Sequence, residues 1–191
     1  MNNLDLRQAG FAGKSWSHWL NLFALVCVCG SLVEAFYSQI FQNEMPCPLC
    51  LLQRVALMMA GIGMMLNVRD GPSSVHYAMI LASAMGGVLT SGRQILLHIA
   101  PGDKGYGSTL WGLHFYSWGF AAFVVMMVFC AVMLCIDRNH MKLARVAVLG
   151  GLSALVVWVF FALAAANTVS TIMVCKFGAC PENPTEYLWK L

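Results

Sequence analysis

The chain has 191 residues, of which 60% are hydrophobic and only 10% charged, with a mean hydropathy of +0.72. That excludes an ordinary soluble domain, where about a quarter of residues carry charge. The net charge of +3 comes from scattered basic residues and points to no nucleic-acid partner.

A bilayer span needs roughly 20 mostly apolar residues, and five such segments follow one another: 17–41, 50–68, 74–99, 114–136 and 145–169. Unsatisfied backbone groups are too costly in hydrocarbon, so spans are helices or barrel strands, and this length makes them helices. The expected fold is an all-α membrane protein, a four-helix transmembrane bundle plus a fifth C-terminal transmembrane helix. The first apolar run starts late and is long, so it reads as a retained helix rather than a cleaved leader.

Orientation follows from Lys and Arg at the loop ends. Arg7, Lys14, Arg69, Arg138, Lys142 and Arg145 share one face if there are five spans. Lys104, Lys176 and Lys190 fall on the other, with Arg54 and Arg93 inside span ends. This places residues 1–16 in the cytoplasm, 17–169 in the membrane bundle and 170–191 in an outer tail. The stretch 42–49, the loop 100–113 and the tail then share the outer side. Glycines 61, 63, 86, 87, 150 and 151 recur within the apolar runs and read as close-packing positions between helices.

Four of the eight cysteines, Cys27, Cys29, Cys130 and Cys135, lie inside apolar runs and read as small packing or lipid-facing residues. The other four form two close pairs on the outer side, where disulfides persist. The first pair is Cys47-Pro48-Leu49-Cys50. Cys50 falls at the start of a helix, whose free N–H groups favour a thiolate. Arg54 is one turn further along the same face, and an arginine at a membrane edge is costly enough to mark function. It either faces the Cys50 sulfur and a ligand bound beside it or snorkels to lipid phosphates. With no histidine nearby, the CxxC is a poor zinc site and reads as a redox pair. The second pair is Cys175-Lys-Phe-Gly-Ala-Cys180, where Gly178 permits a turn. That pair is open to two readings, a redox relay or a structural staple. No phosphate loop, nucleophile elbow or metal-type histidine pair is present.

The run P-C-P-L-C-L-L-Q-R between the first two spans resembles the DsbB family of membrane disulfide-generating oxidases. So do R-Q-I-L-L-H (93–98) at the end of the third span and W-G-L-H-F-Y-S-W (111–118) leading into the fourth. The likeness extends over roughly residues 17–136. It implies a thiol:quinone oxidoreductase of the bacterial inner membrane that passes electrons through Cys47 and Cys50 to ubiquinone or menaquinone. It implies a DsbA-like periplasmic thioredoxin-fold protein as the partner that is reoxidised. Cys50 would be the quinone-facing thiolate, Cys47 its partner in exchange, and Arg54, His98 and Gln53 the quinone-binding side chains. Glu34, in the outer half of the first span, would relay a proton or pair with a polar neighbour.

The chain departs from the family in one place. The family's loop between the third and fourth spans is long and carries a second cysteine pair. Here that loop, A-P-G-D-K-G-Y-G-S-T-L, has no cysteine, while an added fifth span and tail carry Cys175 and Cys180. The expectation is relocation: the tail pair takes over exchange with the soluble partner. Competing expectations are a cysteine-rich metal-binding or scaffold protein, or a thiol reductase like the vitamin K epoxide reductases, whose working CxxC usually lies late in the bundle.

Overall fold

Among the described residues, five long helices carry the fold: α1 (Asn3–Phe41), α2 (Pro48–Asp70), α3 (Ser74–Leu97), α4 (Phe115–Asp137) and α5 (Gly151–Cys175). The computed structural model describes residues 3–138 and 150–176 together with Gly178, Cys180 and Tyr187, with side chains from Trp16 onward. All five helices are long and apolar enough to cross a membrane, so the expected all-α architecture of four helices plus one holds. They run alternately up and down, which puts the starts of α2 and α4 and the ends of α1, α3 and α5 at one end, here the Cys47 end.

Helix boundaries have local causes. Ser73 caps α3 by accepting the Val75 N–H at 3.3 Å, as a short hydroxyl does before a first turn. Gly71, with φ +94°, ends α2 by donating its N–H to the Asn67 carbonyl. The connection between α3 and α4 holds a small hairpin, β1 (Thr109–Leu110) and β2 (Leu113–His114). Its two central residues, Trp111 and Gly112, both have positive φ, the backbone that suits a two-residue hairpin turn.

The core is a column of apolar side chains from every helix, among them Leu25, Leu32, Met64, Ile80, Phe123 and Phe160. A methyl group at Gly61 would run into the Phe160 ring, and one at Gly87 into Phe123. These glycines do let helices approach. Gly86, Gly150 and Gly151 face open space, and the last two lie at the start of α5. Cys29 and Cys130 are buried in the core, whereas Cys27 and Cys135 are exposed on apolar helix faces.

At the opposite end a polar cluster ties four helices. Ser17 and Tyr77 donate to one oxygen of Asp137 at 2.7 and 2.6 Å. Asn21 donates to Tyr77 at 2.9 Å, and Asn67 to Asn21 at 3.0 Å.

The fifth span differs from the expected 145–169. Residues 145–149 lie outside the described residues, and α5 continues to Cys175. The polar residues near the expected end are satisfied inside the helix. Asn167 donates to the Leu163 carbonyl, Thr168 to Ala164 and Thr171 to Asn167. Such back-bonding lets polar side chains sit in an apolar helix. The helix therefore runs past residue 169, and α5 ends at Cys175.

Candidate functional site

The segment between α1 and α2 is short and tightly held. The N–H groups of Gln42 and Glu44 both reach the Ser38 carbonyl at 3.2 Å, with Asn43 at φ +55° between them. Tyr106, from the α3–α4 connection, donates its hydroxyl to the Met45 carbonyl at 2.5 Å. Burial pushes the Tyr106 phenol up to about 12, so it remains a donor at any physiological pH. These contacts fix the backbone immediately before the cysteine pair.

Cys47 is the N-cap of α2, and its sulfur accepts the Cys50 N–H at 3.2 Å. Pro48 occupies the first turn, where a missing N–H costs nothing. Both sulfurs therefore sit on the opening turn of a helix, where unpaired N–H groups favour negative charge. The Cys47 thiol is pushed up, first by its hydrogen bond with the Cys50 sulfur and then by burial. In the reduced pair this keeps the shared proton on Cys47.

A third side chain reads both sulfurs. Gln94, on α3, donates its amide N–H to Cys47 Sγ and to Cys50 Sγ, each at 3.5 Å. It is 1% exposed. Gln53, one turn into α2, donates to Gln94 Oε1 at 2.8 Å, which fixes the amide with its nitrogen toward the sulfurs.

Arg54 is buried beside this group. Its guanidinium donates to Gln39 Oε1 at 2.7 Å and to the Ala35 carbonyl at 2.8 Å, and it lies over the Phe36 ring at 5.7 Å. These contacts are inward, so the snorkelling alternative does not describe it. Cys50, Gln53, Arg54 and Gln94 all line a cavity of about 490 Å³, with Leu57, Phe115, Tyr116 and Phe123 among its apolar walls. Glu34 and Trp118 also border it.

The second pair comes to the same end of the bundle. Cys175 and Cys180 are joined by a disulfide. Lys176 turns the chain with φ +51°, and the Gly178 N–H reaches the Cys175 carbonyl at 3.2 Å. Val174, Cys175, Cys180 and Tyr187 pack on Leu51, the residue that follows Cys50.

His98 stands elsewhere. It is the C-cap of α3, outside the cavity wall, with Nδ1 at 3.2 Å from both oxygens of Asp103 and its ring 5.9 Å from Tyr116. The Asp103 carboxyl is held low by the Gly105 N–H and by His98. The structure thus gathers Cys47, Cys50, Gln53 and Arg54 and keeps His98 apart on the loop side. Sequence reasoning missed Gln94, Gln39 and Ser38. Gln94 lies inside R-Q-I-L-L-H, next to the arginine and histidine that carry the family likeness there. Gln39 and Ser38 are polar residues in an apolar run, which is itself a signal of function.

The family model described as "Disulfide bond formation protein DsbB" matches residues 17–106. Disulfide bond formation protein B 1 of Pseudomonas savastanoi is 31% identical over 156 residues, covering 63% of this chain and 90% of that protein. Disulfide bond formation protein B of Marinobacter nauticus is 37% identical over 93 residues, covering 46% of this chain and 55% of that protein. The Pseudomonas syringae pv. tomato protein of the same description is 38% identical over 96 residues, again 55% of its length. The chain thus spans about half the length of two of these relatives and most of the other. No solved structure matches it. Fold and likeness define an integral membrane protein of the disulfide bond formation class. Within that class, the chain belongs to the DsbB family.

Proposed function

We propose that the chain is a thiol:quinone oxidoreductase, an enzyme that makes disulfides and hands the electrons to ubiquinone or menaquinone. The observation that carries this reading is that Cys50 and Arg54 line one cavity at the N-terminal end of the CxxC helix. The cavity's volume falls within the usual range for small-molecule sites, roughly 300–1,000 Å³. Its chemistry suits a flat ring with two carbonyl oxygens. Phe115, Tyr116 and Phe123 offer aromatic faces, Arg54 has donors beyond its two acceptors among the described residues, and the buried hydroxyl of Ser38 on the cavity wall has no partner among them.

A bound quinone supplies a two-electron, two-proton acceptor in the apolar phase. The protein's part is sulfur chemistry and alignment. A thiolate of a reduced DsbA-like periplasmic partner attacks the Cys175–Cys180 bond, giving a mixed disulfide and one free tail thiol. The partner's second thiol displaces the other tail cysteine and leaves oxidised. The tail dithiol then reduces Cys47–Cys50 by the same two displacements, with Cys50 leaving as the thiolate. Cys47 and Cys50 finally give up two electrons and two protons and re-form their bond. Gln94 holds both sulfurs together during these steps, and Arg54 offsets the negative charge at Cys50. This reading sets the Cys47 end in the periplasm, the N-terminus in the cytoplasm and the protein in a bacterial inner membrane. The tail disulfide uses two of the four outer sulfurs, which weighs against the soft-metal alternative.

The test is purified, reduced protein mixed with a soluble quinone analogue. Quinone reduction is expected with the parental chain and is lost in Cys50→Ala. In the Cys175→Ser/Cys180→Ser protein, quinone still re-forms Cys47–Cys50 while partner oxidation stops. Unimpaired quinone reduction by Cys50→Ala sinks the assignment. Partner oxidation at the parental rate without the tail cysteines reduces the second disulfide to a staple.

A further inference from the structure

Arg54 is held by a residue that is itself held by the added C-terminal segment. Gln39, near the end of α1, is 3% exposed. Its Oε1 accepts from Arg54 at 2.7 Å. Its Nε2 donates to Ser170 Oγ on α5 at 2.8 Å and to the Tyr187 hydroxyl at 2.9 Å. A guanidinium can only donate, so it requires an oxygen. The amide nitrogen then has two hydrogens to place in a buried setting, where an unmade hydrogen bond is costly. Ser170 and Tyr187 take both. Without them the amide is free to rotate, and rotation brings its N–H groups against the guanidinium.

We propose that Ser170 and Tyr187 are positioning residues for the quinone site: through Gln39 they fix Arg54 on the wall it shares with Cys50. Both lie beyond residues 17–106, the stretch matched by the family model, so this device belongs to the segment that sets the chain apart. Tyr187 packs in the same small cluster as Cys175, Cys180 and Leu51. The tail that carries the second disulfide is therefore also the tail that sets the arginine.

The proposal rests on the quinone reading, and its test separates the two. Binding of a short-chain ubiquinone is titrated by quenching of tryptophan fluorescence in oxidised, detergent-solubilised protein. This needs no turnover. Tyr187→Phe combined with Ser170→Ala is expected to raise Kd about fivefold, the size of coupling usual between directly bonded groups. In a Gln39→Leu background, which already lacks the amide, the same pair of changes is expected to add nothing. Thiol titration should show Cys175–Cys180 still closed, which excludes a lost tail. An unchanged Kd overturns the proposal, and so does a fivefold rise that persists in Gln39→Leu. A parental chain that binds no quinone sinks the functional reading first.

Discussion

The bundle buries polar groups at both ends, and the two ends are built differently. At the Asp137 end every donor atom finds an acceptor, and only Asp137 Oδ1 is left without a partner among the described residues. Ser17, Asn21, Asn67 and Tyr77 form a chain of hydrogen bonds from four helices ending on Asp137 Oδ2, with His76 and the Ser73 N–H on Asn67. At the Cys47 end the partners are weaker or missing. Gln94 spends its amide on two sulfurs at 3.5 Å, Ser38 Oγ has no partner among the described residues, and a cavity opens alongside. A polar cluster that consumes its own donors fastens helices. One with donors left over beside a cavity is arranged for something that arrives later.

If that contrast is right, substitutions at the two ends should fail in different assays. The largest effect is expected from Arg54→Met. It keeps most of the buried stem and removes the donors, so the apparent affinity for quinone should fall about a hundredfold, or roughly 2.7 kcal/mol. Thermal stability in detergent should change much less. An unchanged quinone KM in this variant would remove Arg54 from the ring's surroundings. At the other end, Asp137→Ala strands the hydroxyls of Tyr77 and Ser17 in a buried site. Each buried group left unpaired costs about 1–3 kcal/mol, so at least about 2 kcal/mol of stability should be lost while quinone Kd stays within about twofold. A large change in Kd would show that the ends are coupled and that the Asp137 cluster is more than a fastening.

Much of this was legible in the chain. Apolar runs of bilayer length marked α2, α3, α4 and the end of α1 within a few residues, because lipid demands unbroken apolar length whatever the packing; α1 itself begins well before its apolar stretch, at Asn3. The CxxC and Arg54 stood out as chemistry that a span does not otherwise need. The fifth helix was harder to bound. Asn167, Thr168 and Thr171 look like a helix end until their side chains are seen bonded to the preceding turn. Gln94 and Gln39 were harder still. An isolated glutamine near a helix end carries no spacing signal, and its role depends on which helix faces it. His98 was conspicuous in sequence, yet its partner is Asp103, five residues away on the connecting loop.

The finest test of the contrast is Gln94→Leu. Leucine fills most of the same buried volume, so the packing of α3 on α2 should survive and stability should move little. What disappears is the N–H shared by Cys47 and Cys50, together with the acceptor for Gln53. A hydrogen bond to a charged group contributes about 1.5–3 kcal/mol, but sulfur at 3.5 Å is a poor acceptor. The expected loss is therefore near the low end, about tenfold in the rate at which a small dithiol reduces Cys47–Cys50 in stopped flow. Gln53→Leu should have a smaller effect in the same direction, since it only orients Gln94. Parental exchange rates in Gln94→Leu would mean that the helix N-terminus alone manages the sulfurs. Loss of fold in that variant would move Gln94 into the same class as the Asp137 cluster, a fastening rather than a reader of sulfur.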